Sequence, residues 1–179
     1  MSKIIMKKLR VIVPVLLMSS VLTGCISNPY KDGMESLENG KYEEAAEQFE
    51  KAIEKDKNKA DSYRGLGMAL WESEDYKGAK KAFEHALKEG AEKTGTLYNF
   101  LGVCELRAGD ADKAMSYFEK GLKDKENSEK LTQEMRFNYI AAVEKTGDMD
   151  TAKSLLSEYV SDYPDDEEAV KEAEFLETR

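Results

Sequence analysis

Few side chains in this chain could do covalent or acid–base chemistry. The 179 residues include one histidine, His85, and two cysteines, Cys25 and Cys104. A single imidazole cannot complete a His-rich zinc set, and the thiols are not spaced as a metal-binding pair. His85 stands among Glu84, Lys88 and Glu89, the setting of a solvated helix face. Cys104 stands between Leu101-Gly102 and Leu106, where a small buried thiol is expected. Neither a phosphate-cradling glycine loop nor a nucleophile elbow occurs. Carboxylates are plentiful, but in a chain of net charge −9 their proximity says little. The pattern argues against an enzyme, and no cofactor and no metal are expected.

Cys25 differs from the rest because of what precedes it. Lys3, Lys7, Lys8 and Arg10 lead into an apolar run from Val11 to Leu22, interrupted by Pro14 and Ser19-Ser20. That run is too short to span a bilayer comfortably, and basic-then-apolar order is that of a secretory signal. The run ends in Leu22-Thr23-Gly24-Cys25, which resembles the bacterial lipobox. The resemblance implies a signal peptide over residues 1–24, a diacylglyceryl group on the Cys25 thiol and cleavage just before it. Several acyl chains make such an anchor durable where one would be marginal. An uncleaved membrane helix, or an ordinary signal peptide with an incidental cysteine, is the alternative.

Loss of residues 1–24 removes four basic groups and no acid, leaving 23 Lys and Arg against 36 Asp and Glu. So acidic a surface disfavours nucleic acid and anionic headgroups. Residues 25–29 form the lipidated N-terminus and a tether whose four residues reach about 13 Å. The body of the protein is therefore expected close to the membrane, on the extracytoplasmic face of a bacterial envelope. In a host with two membranes, the outer one is also open to it.

What positions the remaining residues is a repeat. Phe49, Phe83, Phe118 and Leu156 recur at intervals of 34, 35 and 38 residues, and Ala45, Ala79, Ala114 and Ala152 keep step with them. Gly33, Gly67, Gly102 and Ile140 form a third column, and Gly40, Glu74, Gly109 and Gly147 a fourth. Between Ala60 and Lys93, Tyr63, Leu66, Gly67 and Leu70 fall at helical spacing, as do Ala79, Phe83 and Ala86. Glu74-Asp75 lies between them, and Asp75 can cap the second helix. A helix of about 14 residues is barely stable alone, so two must pack, and each pair must then cover the next.

These columns resemble the tetratricopeptide repeat (TPR) family. The resemblance implies an all-α, right-handed α-solenoid of about four helix hairpins over residues 30–166, with residues 167–179 as a C-terminal capping helix. The first hairpin departs from the pattern, with Pro29 and Asp32 where the second has Tyr63 and Leu66. Extra residues Lys125 to Thr132 precede the fourth, where Ser128 can cap a lengthened helix reaching Lys145. Tyr159 stands where the other hairpins carry Ala52, Ala86 and Gly121, which leaves close packing of the last hairpin open.

A second stripe runs along the first helix of each hairpin. Arg64, Met68 and Trp71 correspond to Tyr30, Met34 and Leu37 upstream, then to Asn99, Val103 and Leu106, and to Phe137, Ala141 and Glu144. In the family this face lines a concave groove that binds a peptide or a partner's helix. Arg64, Arg107, Asn99 and Asn138 are its expected polar points, with Trp71 and Phe137 exposed in it and Val103 and Leu106 packed between helices. Arg64 with Met68 departs from the Lys/Asn clamp that holds acidic tails in some relatives, so an apolar or amphipathic segment is expected instead. The reading is a membrane-anchored adaptor with a protein or peptide partner. A passive spacer, or a small-ligand receptor or enzyme with a cryptic site, is the alternative.

Overall fold

The computed structural model describes residues 28–178, leaving aside the side chain of Glu177. The expected signal peptide and Cys25 therefore lie outside the described residues. Among those described there are nine α-helices and no strand, and no helix is long and apolar enough to cross a membrane. They fall into two compact units that meet in sequence between Glu92 and Lys93.

The first unit holds α1 (Pro29–Glu38), α2 (Tyr42–Glu54), α3 (Lys59–Glu72) and α4 (Tyr76–Lys88). Pro29 opens α1, where its missing N–H is no loss, and the Asn28 side chain accepts from Lys31 N. Asp75 caps α4 by accepting from Gly78 N at 2.9 Å. The turns between paired helices share one backbone feature: Gly40, Glu74, Gly109 and Gly147 all have positive φ. Three of the four are glycine, which adopts that region without Cβ strain. Glu74 does so at φ 64° with a side chain in place.

Each hairpin of this unit closes on a phenyl ring laid over a glycine. A Cβ built on Gly67 would stand 2.5 Å from the Phe83 ring. Phe49 is flanked twice, with a Cβ on Gly33 reaching 3.0 Å from its ring and one on Gly65 coming closer still. Since Gly33 lies on α1 and Gly65 on α3, Phe49 of α2 ties the first hairpin to the second. Phe49, Leu66, Ala69 and Ala82 then form a continuous core with Tyr30, Met34 and Leu37 against it.

The second unit holds α5 (Gly95–Ala108), α6 (Ala111–Gly121), α7 (Glu129–Thr146), α8 (Met149–Asp162) and α9 (Glu167–Glu177). Asp110 and Ser128 cap α6 and α7 as the spacing predicts, accepting from Lys113 N and Leu131 N. Asp124 and the first of the extra residues before α7 form a clasp. Asp124 accepts from Gly95 N at 2.7 Å and Glu126 N at 3.0 Å, while Asn127 Nδ2 donates to Gly121 O at 2.8 Å. Asp124, just ahead of the extra residues, thus satisfies an N–H at the start of α5 that the helix itself leaves free. Those two backbone bonds hold the Asp124 carboxyl below its ordinary range.

α5 repeats the phenyl–glycine contact, because a Cβ on Gly102 would run into the Phe118 ring. The last hairpin achieves the same closure with different residues. Ile140 and Leu156 replace the glycine and phenylalanine, both buried in one cluster. In the third hairpin a Cβ on Gly121 would stand 3.2 Å from that of Tyr98. In the fourth, Arg136 takes the place of Tyr98, and Tyr159 takes the place of the glycine. Tyr159 is fully buried, and the Arg136 guanidinium lies 5.9 Å from the centre of its ring. Arg136 also reaches Asp162 at 2.6 Å and Glu158 at 3.3 Å. Tyr159 is enclosed among Phe137, Ile140 and Leu156 with Arg136 over its ring, so the last hairpin packs closely.

Tyr159 also fastens α9. Its hydroxyl donates to Asp166 Oδ2 at 2.8 Å, which accepts from Gln133 Nε2 at 3.2 Å as well, while Asp166 Oδ1 caps α9 at Ala169 N. Ala169 and Leu176 then bury against Phe137, Ile140, Leu156 and Tyr159. α9 covers apolar surface that the fourth hairpin would otherwise expose.

Two stability changes follow from these contacts. Gly67→Ala forces a methyl into the Phe83 ring and should cost about 1–3 kcal/mol in a urea melt; an unchanged midpoint would reject the contact. Tyr159→Phe removes a bond to a buried carboxylate that keeps its other donors, so a loss near ~1.5 kcal/mol is expected in thermal melts.

Candidate inner-face binding surface

The stripe singled out on the first helices can be followed in each unit separately. In the first, Tyr30 meets the Phe49 ring edge-on at 6.1 Å, and Met34 and Leu37 pack beside it, all three half-buried. On α3, Met68 is half-buried, and Arg64 is partly exposed with an ion pair to Asp61 at 3.0 Å. Such a surface pair contributes little to stability and leaves the guanidinium available.

Trp71 does not stand open, contrary to expectation. It is 8% exposed and set edge-on to Tyr76, ring centres 5.1 Å apart. The first residue of α4 covers it, which spacing along α3 alone does not show. His85 is exposed as expected, and its ring stacks on Tyr63 at 5.0 Å.

In the second unit the stripe is largely closed. Val103 and Leu106 are buried, as anticipated, and so is Cys104. Phe137, expected in the open, is 4% exposed and lies 5.5 Å from the Tyr159 ring. Asn99 and Asn138, expected as open polar points, are 1% and 2% exposed. They face each other: Asn138 Nδ2 donates to Asn99 Oδ1 at 3.5 Å, and Asn99 Nδ2 donates to Glu134 Oε1 at 2.9 Å. This amide ladder joins α5 to α7 and satisfies polar groups that burial would otherwise penalise. Arg107 remains exposed.

Two acidic residues of α7 were not anticipated as structural. Glu134 lies one turn before Asn138, and that spacing beside a polar column is the signal that could have found it. Glu144 gives no such signal. Its Oε1 is buried and accepts no hydrogen bond, and burial, then the charge of Glu172, raises its carboxyl to about 7. No group of three His, Cys, Asp or Glu side chains among the described residues is arranged to hold a metal.

The inner faces thus offer no paired nucleophile and base. They offer half-buried thioether and aromatic surface beside a guanidinium in the first unit, and a polar, mostly filled surface in the second. Repeated helix pairs closed by small-on-large contacts define a helix-hairpin repeat protein, of the all-α solenoid class. Family models described as TPR repeat match residues 33–74, and models described as tetratricopeptide repeat match residues 64–129 and 139–166. The chain belongs to the tetratricopeptide repeat family.

Solved structures agree. The chain is similar to YrrB, described as a TPR protein with an unusual peptide-binding site, at 26% identity and TM-score 0.71, over 83% of this chain and 74% of that one. It is also similar in fold to MamA AMB-1 (17% identity, TM-score 0.68, 83% and 78% covered). For MamA RS-1 the values are 16%, 0.71, 87% and 86%. No curated protein matches the chain by sequence.

The two kinds of polar contact should separate on mutation. Asn99→Ala leaves the buried Asn138 amide short of a partner and should cost about 1–3 kcal/mol. Arg64→Ala should stay within about 0.5 kcal/mol. Urea melts of the two variants check the contrast.

Proposed function

We propose that the protein is an adaptor, anchored to a bacterial membrane on its extracytoplasmic side through lipid on Cys25, that binds a polypeptide segment along the inner faces of α1 and α3. The observation that carries the binding half is the set of incompletely covered side chains there: Tyr30, Met34, Leu37 and Met68 beside Arg64. Methionine adapts to irregular partners, and aromatic and arginine groups are common interface anchors. An amphipathic segment with an acidic group suits that chemistry. The similarity to YrrB, whose description includes a peptide-binding site, supports the reading.

The anchor half rests on the basic residues, the apolar run and Leu22-Thr23-Gly24-Cys25. Lipid is needed because an acidic body would be repelled by anionic headgroups. Held by so short a tether, the adaptor would scaffold an assembly of the envelope or of a secretion system.

Both halves have direct tests. A photo-crosslinker at position 68, in the native host, should capture one defined protein, and Arg64→Glu should reduce that capture. No capture at 68 would favour a passive spacer. Intact mass of the native protein should show a chain beginning at acylated Cys25, and Cys25→Ala should release it from the membrane fraction; a free Cys25 thiol would remove the anchor.

A further inference from the structure

We propose that the outer faces of α2 and α4 dock against a second copy of this chain, α2 of each copy lying along α4 of the other. The observation is a charge inversion at matched repeat positions. Glu43, Glu47 and Glu54 on α2 stand 34 residues before Lys77, Lys81 and Lys88 on α4, and all six are exposed. Each trio keeps to one side of its helix, within about 40° of arc. That side is opposite the buried Ala45, Phe49 and Ala52 of α2, and opposite the buried Ala79, Phe83 and Ala86 of α4.

The repeat does not impose these charges. The corresponding places in the third hairpin hold Asp112, Ser116 and Lys123, of mixed character. Nor do the trios hold the unit together. Among the described residues no ion pair joins one to the other, and Glu47 reaches Lys51 of its own helix at 3.9 Å. An exposed pair of that kind adds little to stability. In a chain of net charge −9 the lysine face is the exception, and the same unit carries an acidic face of equal length and spacing.

The spacing selects the arrangement. α3 runs back between α2 and α4, its first residue Lys59 pairing with Glu89 just past the end of α4, so α2 and α4 point the same way. A two-fold axis parallel to them sets each α2 beside the other copy's α4 in register. Glu43 then meets Lys77, Glu47 meets Lys81 and Glu54 meets Lys88, twice over. An axis across the helices would set α2 on α2 and α4 on α4, with like charges opposed. Glu50 and Glu84 face each other in the favoured arrangement, one like pair against three opposite pairs on each side. Such charges fix partner and orientation, and salt screens them. Because the contact uses the outer helices, the stripe on α1 and α3 stays open in both copies.

Sedimentation velocity of the full chain, purified in non-ionic detergent, tests this. Dimers are expected at about 50 mM salt, with a dissociation constant that rises roughly tenfold by about 500 mM. Lys77→Glu with Lys81→Glu leaves two acidic faces, and Glu43→Lys with Glu47→Lys leaves two basic ones, so each variant alone should be monomeric. Mixed in equal amounts, the two should form dimers of one chain each, which also shows that both are folded. A monomeric unmodified chain at the lower salt, dimers indifferent to either double substitution, or no dimer on mixing overturns the proposal. So does binding of the lysine face to vesicles of anionic phospholipid in place of a second copy.

Discussion

A phenyl ring packed against a glycine is the contact that sets how closely the two helices of a hairpin approach. Because Gly67 and Gly102 lack a Cβ, Phe83 and Phe118 reach the backbone of the partner helix. The helices then stand close enough for alanine-sized residues such as Ala79 and Ala114 to be fully enclosed between them. Interiors packed to crystal-like density have no slack for an added methyl at such a point. The same ring can serve two neighbours: Phe49, seated between Gly33 and Gly65, makes one hairpin part of the next. Stability that accumulates through neighbours in this way needs each hairpin to leave a matching hollow for the following ring.

The last hairpin shows that volume and not residue identity is what the contact requires. Ile140 against Leu156 fills the space of glycine against phenylalanine, and Arg136 with Tyr159 sets two large side chains where the third hairpin has tyrosine and glycine. The tyrosine has a further consequence. An aromatic ring on α8 carries its hydroxyl toward the chain end, where it meets Asp166 and fixes the entry into α9. An alanine at that place would close the hairpin without reaching Asp166, and the final helix would lose that hold.

The fold was legible because these contacts recur in step. Four columns at nearly constant interval give the helices, the turns and the small-residue positions, and the caps Asp75, Asp110 and Ser128 follow from residue type alone. Depth within the inner stripe was not legible, for a physical reason. Helical period gives the direction in which a side chain leaves its own helix, whereas its exposure depends on what a different helix places above it. Trp71 is covered by Tyr76, and Phe137 by Tyr159, each from an element outside the stripe. Asn99 and Asn138 were read as polar points of the groove, but two amides on adjacent helices can satisfy each other and be buried together. The family comparison gives the architecture, while the partner must be read from the side chains that remain uncovered.

Those uncovered side chains divide the labour between the units. In the second, inner-face positions are filled by Val103, Leu106, Phe137 and the amide ladder, so cohesion claims the residues that could otherwise touch a partner. In the first, Gly65 lets Phe49 supply that cohesion from below, and Tyr30, Met34 and Met68 are left partly open. A buried polar ladder cannot yield its donors to a ligand without leaving orphaned groups behind, a penalty as large as the benefit of the new hydrogen bond. Half-buried thioethers and rings carry no such penalty, because covering them only removes apolar surface from water. The less enclosed stripe thus keeps apolar surface that can be covered without orphaning a polar group.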